Sequence, residues 1–373
     1  MNFFRIFKKL SSFQIIFFSL PEKKKNVLYS DIHVSLLKKY FDFSLLHTHK
    51  KKKIYFFLLL RLILKFKKIN FHNYSIEFIN FVQPSNIFTY ADNNLNFYKL
   101  KSVFPNITFI SIQNAPRTPK NFSTKFKNLK CDYILTWGNL IQKEFKKIIK
   151  SKFITIGSLI NNHYKVKKLK KKKNELLFIS SAYPYKKNFI VPVKIKISAS
   201  KFYKLEKIIL PKILNFCKKN KMKFVIRGRM ISSMEEFLFF KNILGNSFSF
   251  LPRQNDKDYS TYSLSDSYKY IVCIDTSFGL EAISRYKKIG IFDLRHNFTQ
   301  GLSTRLFWPL NKNKINFKLV AKDSSCKEVD RVLGNLIKSN KVNNLNNKIM
   351  DELIIYDPGN KKFKNFLKKI KSI

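Results

Sequence analysis

The chain has 373 residues, 45% hydrophobic, with 73 Lys and Arg against 23 Asp and Glu and a formal net charge of +50. That length predicts about two domains with packed cores, and the charge favours anionic partners. Only ten of the 73 basic residues are arginine. Planar paired recognition of phosphates favours arginine, and no helix-turn-helix, zinc-finger or RNA-recognition signature is present, so nucleic acid is not the expected partner.

The four cysteines stand far apart, with no CxxC and no Cys/His cluster. A structural metal site is therefore not expected, and free thiols suit a reducing, cytoplasmic compartment. The N-terminal apolar stretch Leu10–Leu20 is short, contains Gln14 and lacks a small-residue cleavage site before Pro21, so it is not read as a signal peptide. The Leu- and Phe-rich stretch Ile54–Phe66 contains Arg61 and is too short to span a bilayer. It is read as a buried or amphipathic helix that can touch a membrane interface.

Strand and helix signals alternate along the first half. Strands are predicted at Asn26–Tyr29, Phe43–His47, Asn86–Tyr90, Ile107–Ile112, Tyr133–Thr136 and Phe153–Ile156. Helices are predicted at Asp31–Tyr40, Ile54–Phe66, Phe97–Val103 and Leu140–Ile149, and another ends with Ile76–Val82 before Pro84. The run Lys165–Lys173 is almost pure charge and is the expected domain boundary. Alternation then resumes, with strands Leu176–Ile179, Phe224–Ile226, Phe248–Leu251, Ile271–Ile274 and Ile289–Phe292. Helices are predicted at Lys201–Lys219 (interrupted near Pro211), Glu235–Leu244, Tyr262–Tyr268 and Lys327–Ser339. A polar linker, Asn340–Lys348, leads to a last helix after Tyr356–Asn360. The pattern predicts an α/β protein with parallel sheets. Its expected divisions are residues 1–164, a basic linker 165–174, residues 175–345 and a helical tail 346–373.

The richest segment is Tyr270–Arg285. A buried strand enters the polar turn Asp275, Thr276 and Ser277, and a helix follows with Gly279 and Glu281 near its start. Ligands of open parallel sheets sit beyond the carboxyl ends of strands, and helix N-termini suit phosphate. Thr276 or Ser277 can cap that helix, and Gly279 leaves room for a ligand to approach. Glu281 either accepts from ribose hydroxyls or is simply an anion suited to a helix start. Arg227, Gly228 and Arg229 follow another strand on the same predicted edge. Two guanidiniums there suit a diphosphate or form surface salt bridges.

In the first half, Asp31, Asp92, Gln113 and Asn114 occupy the equivalent edge. Asp92 is the candidate general base, or alternatively an N-cap. Gln113 and Asn114 either bond sugar hydroxyls or form a turn before Pro116. His296, after a core strand, either enters the site or sits in a solvated loop.

The segments Thr89–Asn94, Phe109–Asn114, Cys131–Gly138, Ile156–Ser158, Leu177–Ser180, Ile274–Ala282 and Tyr356–Asn360 carry a resemblance. In their order and spacing the chain resembles the bacterial surface carbohydrate biosynthesis proteins, glycosyltransferases of the GT-B type. The resemblance implies two Rossmann-like domains facing across a cleft. It implies a nucleotide-sugar in the C-terminal domain, with diphosphate at Ser277–Gly279 and ribose near Glu281. Arg227 and Arg229 would stabilise the leaving diphosphate without a bound metal or other cofactor. The acceptor, a saccharide or lipid-linked saccharide, would lie on the N-terminal domain near Asp31, Gln113 and Asn114, at the inner face of an anionic membrane. A CDP-polyol phosphotransferase of related fold and a non-catalytic nucleotide-sugar-binding protein are the alternatives.

Overall fold

A computed structural model describes residues 13–47, 52–117, 128–167, 169–170, 172–184, 188–190, 196–231, 234–253, 260–299, 306–310, 318–338 and 347–371. Two compact units divide the chain. The first comprises Met1–Asn114, Thr124–Thr136 and Phe145–Ile154, and the second comprises Ala115–Ser123, Trp137–Glu144 and Thr155–Ile373.

The strands in chain order are β1 (Phe13–Ile16), β2 (Asn26–Leu28), β3 (Ser44–Leu45), β4 (Lys52–Tyr55), β5 (Asn86–Thr89), β6 (Thr108–Ile112), β7 (Leu129–Thr136) and β8 (Ile149–Thr155). They continue with β9 (Lys172–Ile179), β10 (Asn188–Ile190), β11 (Lys196–Ser198), β12 (Lys223–Ile231), β13 (Ser249–Arg253), β14 (Tyr268–Cys273) and β15 (Ile289–Ile291). The first unit holds a six-stranded sheet ordered β3-β2-β5-β6-β7-β8, whose pairs from β3 through β7 are parallel. The strand order reverses between β2 and β5. The second unit holds a wholly parallel sheet ordered β13-β12-β9-β14-β15. Counted along the chain this is 3-2-1-4-5, the doubly wound order, and it reverses between β9 and β14.

The central strand β9 shows why this sequence makes this sheet. Leu177 pairs with Val225 on one side and Ile271 on the other. Side chains of a strand alternate between faces. Leu176 and Phe178 accordingly join Ile209, Ile213, Val332 and Leu336 of the helices Lys204–Lys219 and Cys326–Lys338. Leu177 and Ile179 face the other way, among Tyr262, Phe278, Leu280 and Ile283. Burial on both faces is why these strands read as continuous apolar runs.

Several expectations shift. The helix expected from Asp31 is shorter, Val34–Leu37, because His33 takes a left-handed conformation with φ 54°. The helix expected from Ile54 starts at Phe56, since Ile54 belongs to β4. The interruption expected at Pro211 falls at Tyr203, between helices Ala199–Phe202 and Lys204–Lys219, and Pro211 lies within the second of them. The strand expected from Leu176 starts earlier, within the basic run: Lys172 and Lys173 already belong to β9, where the Lys172 ammonium sits 5.0 Å over the Tyr268 ring and 3.4 Å from Glu175. Residues 155–164 group with the second unit, where Ser158 and Asn161 bond to Glu281 and Ser284. Most of the expected linker Asn340–Lys348 lies outside the described residues, as do Leu10 to Ser12 of the N-terminal apolar stretch.

Candidate functional site

The polar edge of the second sheet is built where its strand order reverses. Strand β9 runs out into Ser180 and Ser181, and β14 into Asp275, Thr276 and Ser277. The two exits meet, with the Ser181 hydroxyl 3.4 Å from Asp275 Oδ1. Asp275 is fixed from below by Arg295, a residue the sequence did not single out. Arg295 Nε and Nη2 reach Asp275 Oδ2 and Oδ1 at 2.5 and 3.0 Å. Its Nη1 and Nη2 also reach Glu206 Oε2 and Oε1 at 2.9 and 2.5 Å. The guanidinium is 1% exposed and lies 4.3 Å over the Phe202 ring. Burial pushes the Asp275 carboxyl up, but the Arg295 charge overrides it and holds the group below the usual range. For Glu206 burial outweighs the same cation, and its carboxyl is pushed up. His296, beside Arg295 on the helix Arg295–Phe298, is buried rather than in a solvated loop.

The two arginines of β12 have opposite fates. Arg227 is buried and donates to the Pro252 carbonyl at 2.6 Å and to the Ser260 hydroxyl, so it ties the exit of β13 to the helix Ser260–Asp266. Gly228 is needed for packing, since a Cβ there would lie 2.7 Å from Phe250 Cζ and 3.0 Å from Glu236 Oε2. Arg229 is exposed, stacks 3.9 Å over the Tyr183 ring and donates Nη1 to the Ser181 carbonyl at 3.0 Å. It is therefore the arginine of this pair on the polar edge. Glu236, also missed in the sequence, shapes this corner. Its buried carboxylate accepts from the Ser180 hydroxyl at 2.6 Å and from the main-chain N–H groups of Arg229 and Met230 at 3.0 and 2.8 Å.

The helix Phe278–Ser284 departs from expectation in three ways. Ser277 makes no side-chain cap, and its backbone is itself helical at φ −54° and ψ −29°. Gly279 faces the sheet: a Cβ would lie 3.0 Å from Cys273 Sγ, 3.1 Å from Leu306 Cδ2 and 3.2 Å from Ile291 Cδ1. Its role is close helix–strand approach rather than space for a ligand. Glu281 is buried, with Oε1 accepting from Ser158 at 2.5 Å and Oε2 from the Tyr262 hydroxyl at 2.7 Å. Burial pushes its carboxyl up. One turn later the buried Arg285 donates to the Asn161 carbonyl at 3.2 Å and lies 3.5 Å from Asp266, which also pairs with Lys287.

The first sheet has its own reversal, between β2 and β5, and the expected residues Asp31 and Asp92 follow those strands. The exits are tied by the Thr89 hydroxyl, which donates to the Tyr29 carbonyl at 3.0 Å. Asp92 is buried, and its main-chain carbonyl accepts from the Tyr98 hydroxyl at 2.7 Å. The helix Leu95–Val103 is capped by Asn94, so Asp92 is not its cap. His33 lies edge-on to Tyr90 at 5.1 Å. His47 is half-buried, and burial lowers its pKa while the nearby Asp31 opposes the shift. Gln113 is buried beyond β6 and Asn114 half-buried beside it.

The family described as "putative O-antigen biosynthesis protein" matches residues 110–371, more than two thirds of the chain. The chain belongs to that family. A search of curated proteins finds no match. Among solved structures this O-antigen family chain is similar to a protein described as "putative UDP-N-acetylglucosamine 2-epimerase" from Listeria monocytogenes. They share 10% identity at a TM-score of 0.53, covering 94% of this chain and 96% of that one. It is similar to MnaA of S. aureus bound to UDP, with 12% identity, a TM-score of 0.51, and 94% and 97% covered. It is also similar to a variant of the wall teichoic acid polymerase TagF, with 13% identity, a TM-score of 0.50, and 94% and 90% covered. At such identities the likeness establishes the fold, and that fold is GT-B, built of two Rossmann-like units. Among the described residues, no group of three or more His, Cys, Asp or Glu side chains is placed to hold a metal ion, and no helix is long and apolar enough to cross a membrane.

Proposed function

We propose that the chain is a GT-B glycosyltransferase that moves a sugar from a nucleotide-sugar to a saccharide, or a lipid-linked saccharide, in surface polysaccharide assembly. The observation that carries the reading is the polar edge at the β9/β14 reversal, where the exposed Arg229 and the Asp275–Ser277 turn converge on Ser181. Open α/β sheets bind nucleotides at such a reversal. The family and a fold shared with UDP-bound MnaA support it.

In this reading Arg229 and the main-chain N–H groups of Ser277 and Phe278 receive the diphosphate. Glu281, held by Ser158 and Tyr262, supports that helix from behind. Asp92 takes the proton of the acceptor hydroxyl as its oxygen bonds to the sugar. The bond from sugar to diphosphate breaks with its electron pair leaving on the diphosphate, which Arg229 stabilises without a metal. Asp31, Gln113 and Asn114 bond the acceptor's hydroxyls. We place the reaction in the cytoplasm.

The likeness to a wall teichoic acid polymerase supports a second reading, transfer of a polyol phosphate from a CDP-linked donor. Thermal shift against UDP-, GDP- and CDP-linked donors separates the readings when combined with product analysis. Sugar transfer from a UDP- or GDP-sugar releases a nucleoside diphosphate, whereas polyol-phosphate transfer releases CMP. Arg229→Ala is expected to abolish the shift, and Asp92→Asn to keep it while stopping turnover. No shift with any nucleotide would sink both readings.

A further inference from the structure

Strands β1 and β4 pair in parallel, from Phe13 opposite Lys52 to Ile16 opposite Tyr55. Their exits deliver Phe17 and Phe56 into contact, ring centroids 5.2 Å apart, with Phe18 following Phe17 at 6.4 Å. From Phe56 the chain enters the helix Phe56–Leu64, in which every residue except Arg61 is apolar. Leu58, Leu59 and Leu62 turn inward, while Phe56, Phe57, Leu60, Ile63 and Leu64 remain exposed. At 3.6 residues per turn those five share one side of the helix. Phe66 follows at φ 52° and is 98% exposed. A helix that is apolar all round belongs in an apolar surrounding on every side, and here protein supplies only half of it. Contiguous apolar surface of this kind marks an interaction site.

The charges around it select the occupant. Between Asp42 and Glu77 the sequence has eight basic residues and no acidic one. Lys53, Lys65, Lys67 and Lys68 are exposed. The buried Glu77 tethers part of this rim: both its oxygens hold Lys65 at 2.9 Å, with Arg61 at 3.7 Å and Lys67 at 3.6 Å. A second copy of the chain would bring two such rims together, each on a molecule of formal charge +50, and like charges oppose that pairing. An anionic lipid surface answers both features. The rings and aliphatic chains reach the boundary between headgroups and acyl chains, and the lysines meet the headgroups. We propose that this face seats the first unit on an anionic bilayer surface. The inference stands whatever reaction the chain catalyses.

Co-sedimentation of the full chain with vesicles tests it, using phosphatidylcholine alone and an equal mixture with phosphatidylglycerol. The wild type is expected to bind the mixed vesicles at least about tenfold more tightly than the neutral ones, and Phe57→Ser/Ile63→Ser/Leu64→Ser to lose about tenfold on the mixed vesicles. All three positions are exposed, so the variant should keep its circular dichroism. In a separate variant, Phe57→Trp, brominated lipid should quench fluorescence beyond the wild-type level, which shows insertion directly. Wild-type binding by the triple serine variant, or an unquenched Trp at position 57, would reduce the effect to adsorption of a basic chain and overturn the proposal. Equal binding to both vesicles would overturn it too, as would a wild-type dimer dispersed by the serine variant.

Discussion

Replacing Arg295 by Met tests the framework beneath the candidate donor edge. The guanidinium makes four charge-assisted contacts of 2.5–3.0 Å to Asp275 and Glu206. At a charge separation of about 4 Å and an effective dielectric near 20, each ion pair is worth roughly 4 kcal/mol of Coulomb attraction. Desolvation offsets much of this, and breaking a buried pair from one side typically costs about 3–5 kcal/mol because a charge is left uncompensated. Domains are stable by only about 5–15 kcal/mol, so Arg295→Met is expected to remove a large share of that margin.

The loss should depend on pH in a definite sense. In the wild type the Asp275 pKa is lowered from its ordinary 3.8, so its contribution is present above that value and lost as pH falls through the folded value. Without Arg295, burial becomes the largest influence on both carboxyls and raises them. The folded variant then holds protons that the unfolded chain has released above 3.8 and 4.5. Its stability falls as pH rises through that window, and the gap to wild type is smaller near about pH 5 than near about pH 8. Both tryptophans, Trp137 and Trp308, lie in the second unit, so urea unfolding followed by their fluorescence reports on the unit that holds Arg295. A deficit below about 1 kcal/mol near neutral pH, or one that ignores pH, would refute the assignment of Arg295 as a buried charge clamp.

Glycine substitutions should separate by sign. A Cβ on Gly138 would collide with the Glu352 carbonyl oxygen, and one on Gly157, at φ +77°, with that of Ile355. Alanine at either position should destabilise by about 3 kcal/mol or more in thermal unfolding. Gly334 lies inside a helix with nothing within 4 Å of a built Cβ, so Gly334→Ala should stabilise by ~0.8–1 kcal/mol. Thiol titration should also be selective. Burial pushes the Cys131 and Cys217 thiols up to about 12 and Cys273 well above its ordinary value, whereas Cys326 is exposed. Ellman's reagent should therefore reach Cys326 in the native protein and the other three only after unfolding.

The second sheet was largely legible because its strands carry apolar runs that lead into polar residues; Ile271–Ile274 into Asp275–Ser277 is the clearest case, whereas β12 continues through Arg227–Arg229 to Ile231. Strands β1 and β4 were not, since four residues interrupted by Gln or led by Lys carry no apolar alternation. Arg227 and Arg229 stand out as a pair in the sequence, but only packing reveals that one is buried and the other exposed. The same holds for Gly279, where the sequence signals close approach without saying to what. The contacts of Arg295, of Glu236 with Ser180 and of Ser158 with Glu281 were hidden for a common reason. They span 20 and 89, 56, and 123 positions, and no local pattern encodes a contact over such separations.

The short helix Leu159–His163 also imposes an order on synthesis. Asn162 accepts from the Asp357 N–H and the Leu159 carbonyl accepts from the Asn360 side chain, across 195 and 201 positions. At a translation rate of about 5–20 residues per second, those partners leave the ribosome roughly 10–40 s later. Strand β8, just ahead of this helix, gives the first unit its last strand with no such wait. The nascent chain therefore carries one assembled half while Leu159 and Asn162, both buried in the finished protein, stand open to chaperones and proteases until residue 360 arrives.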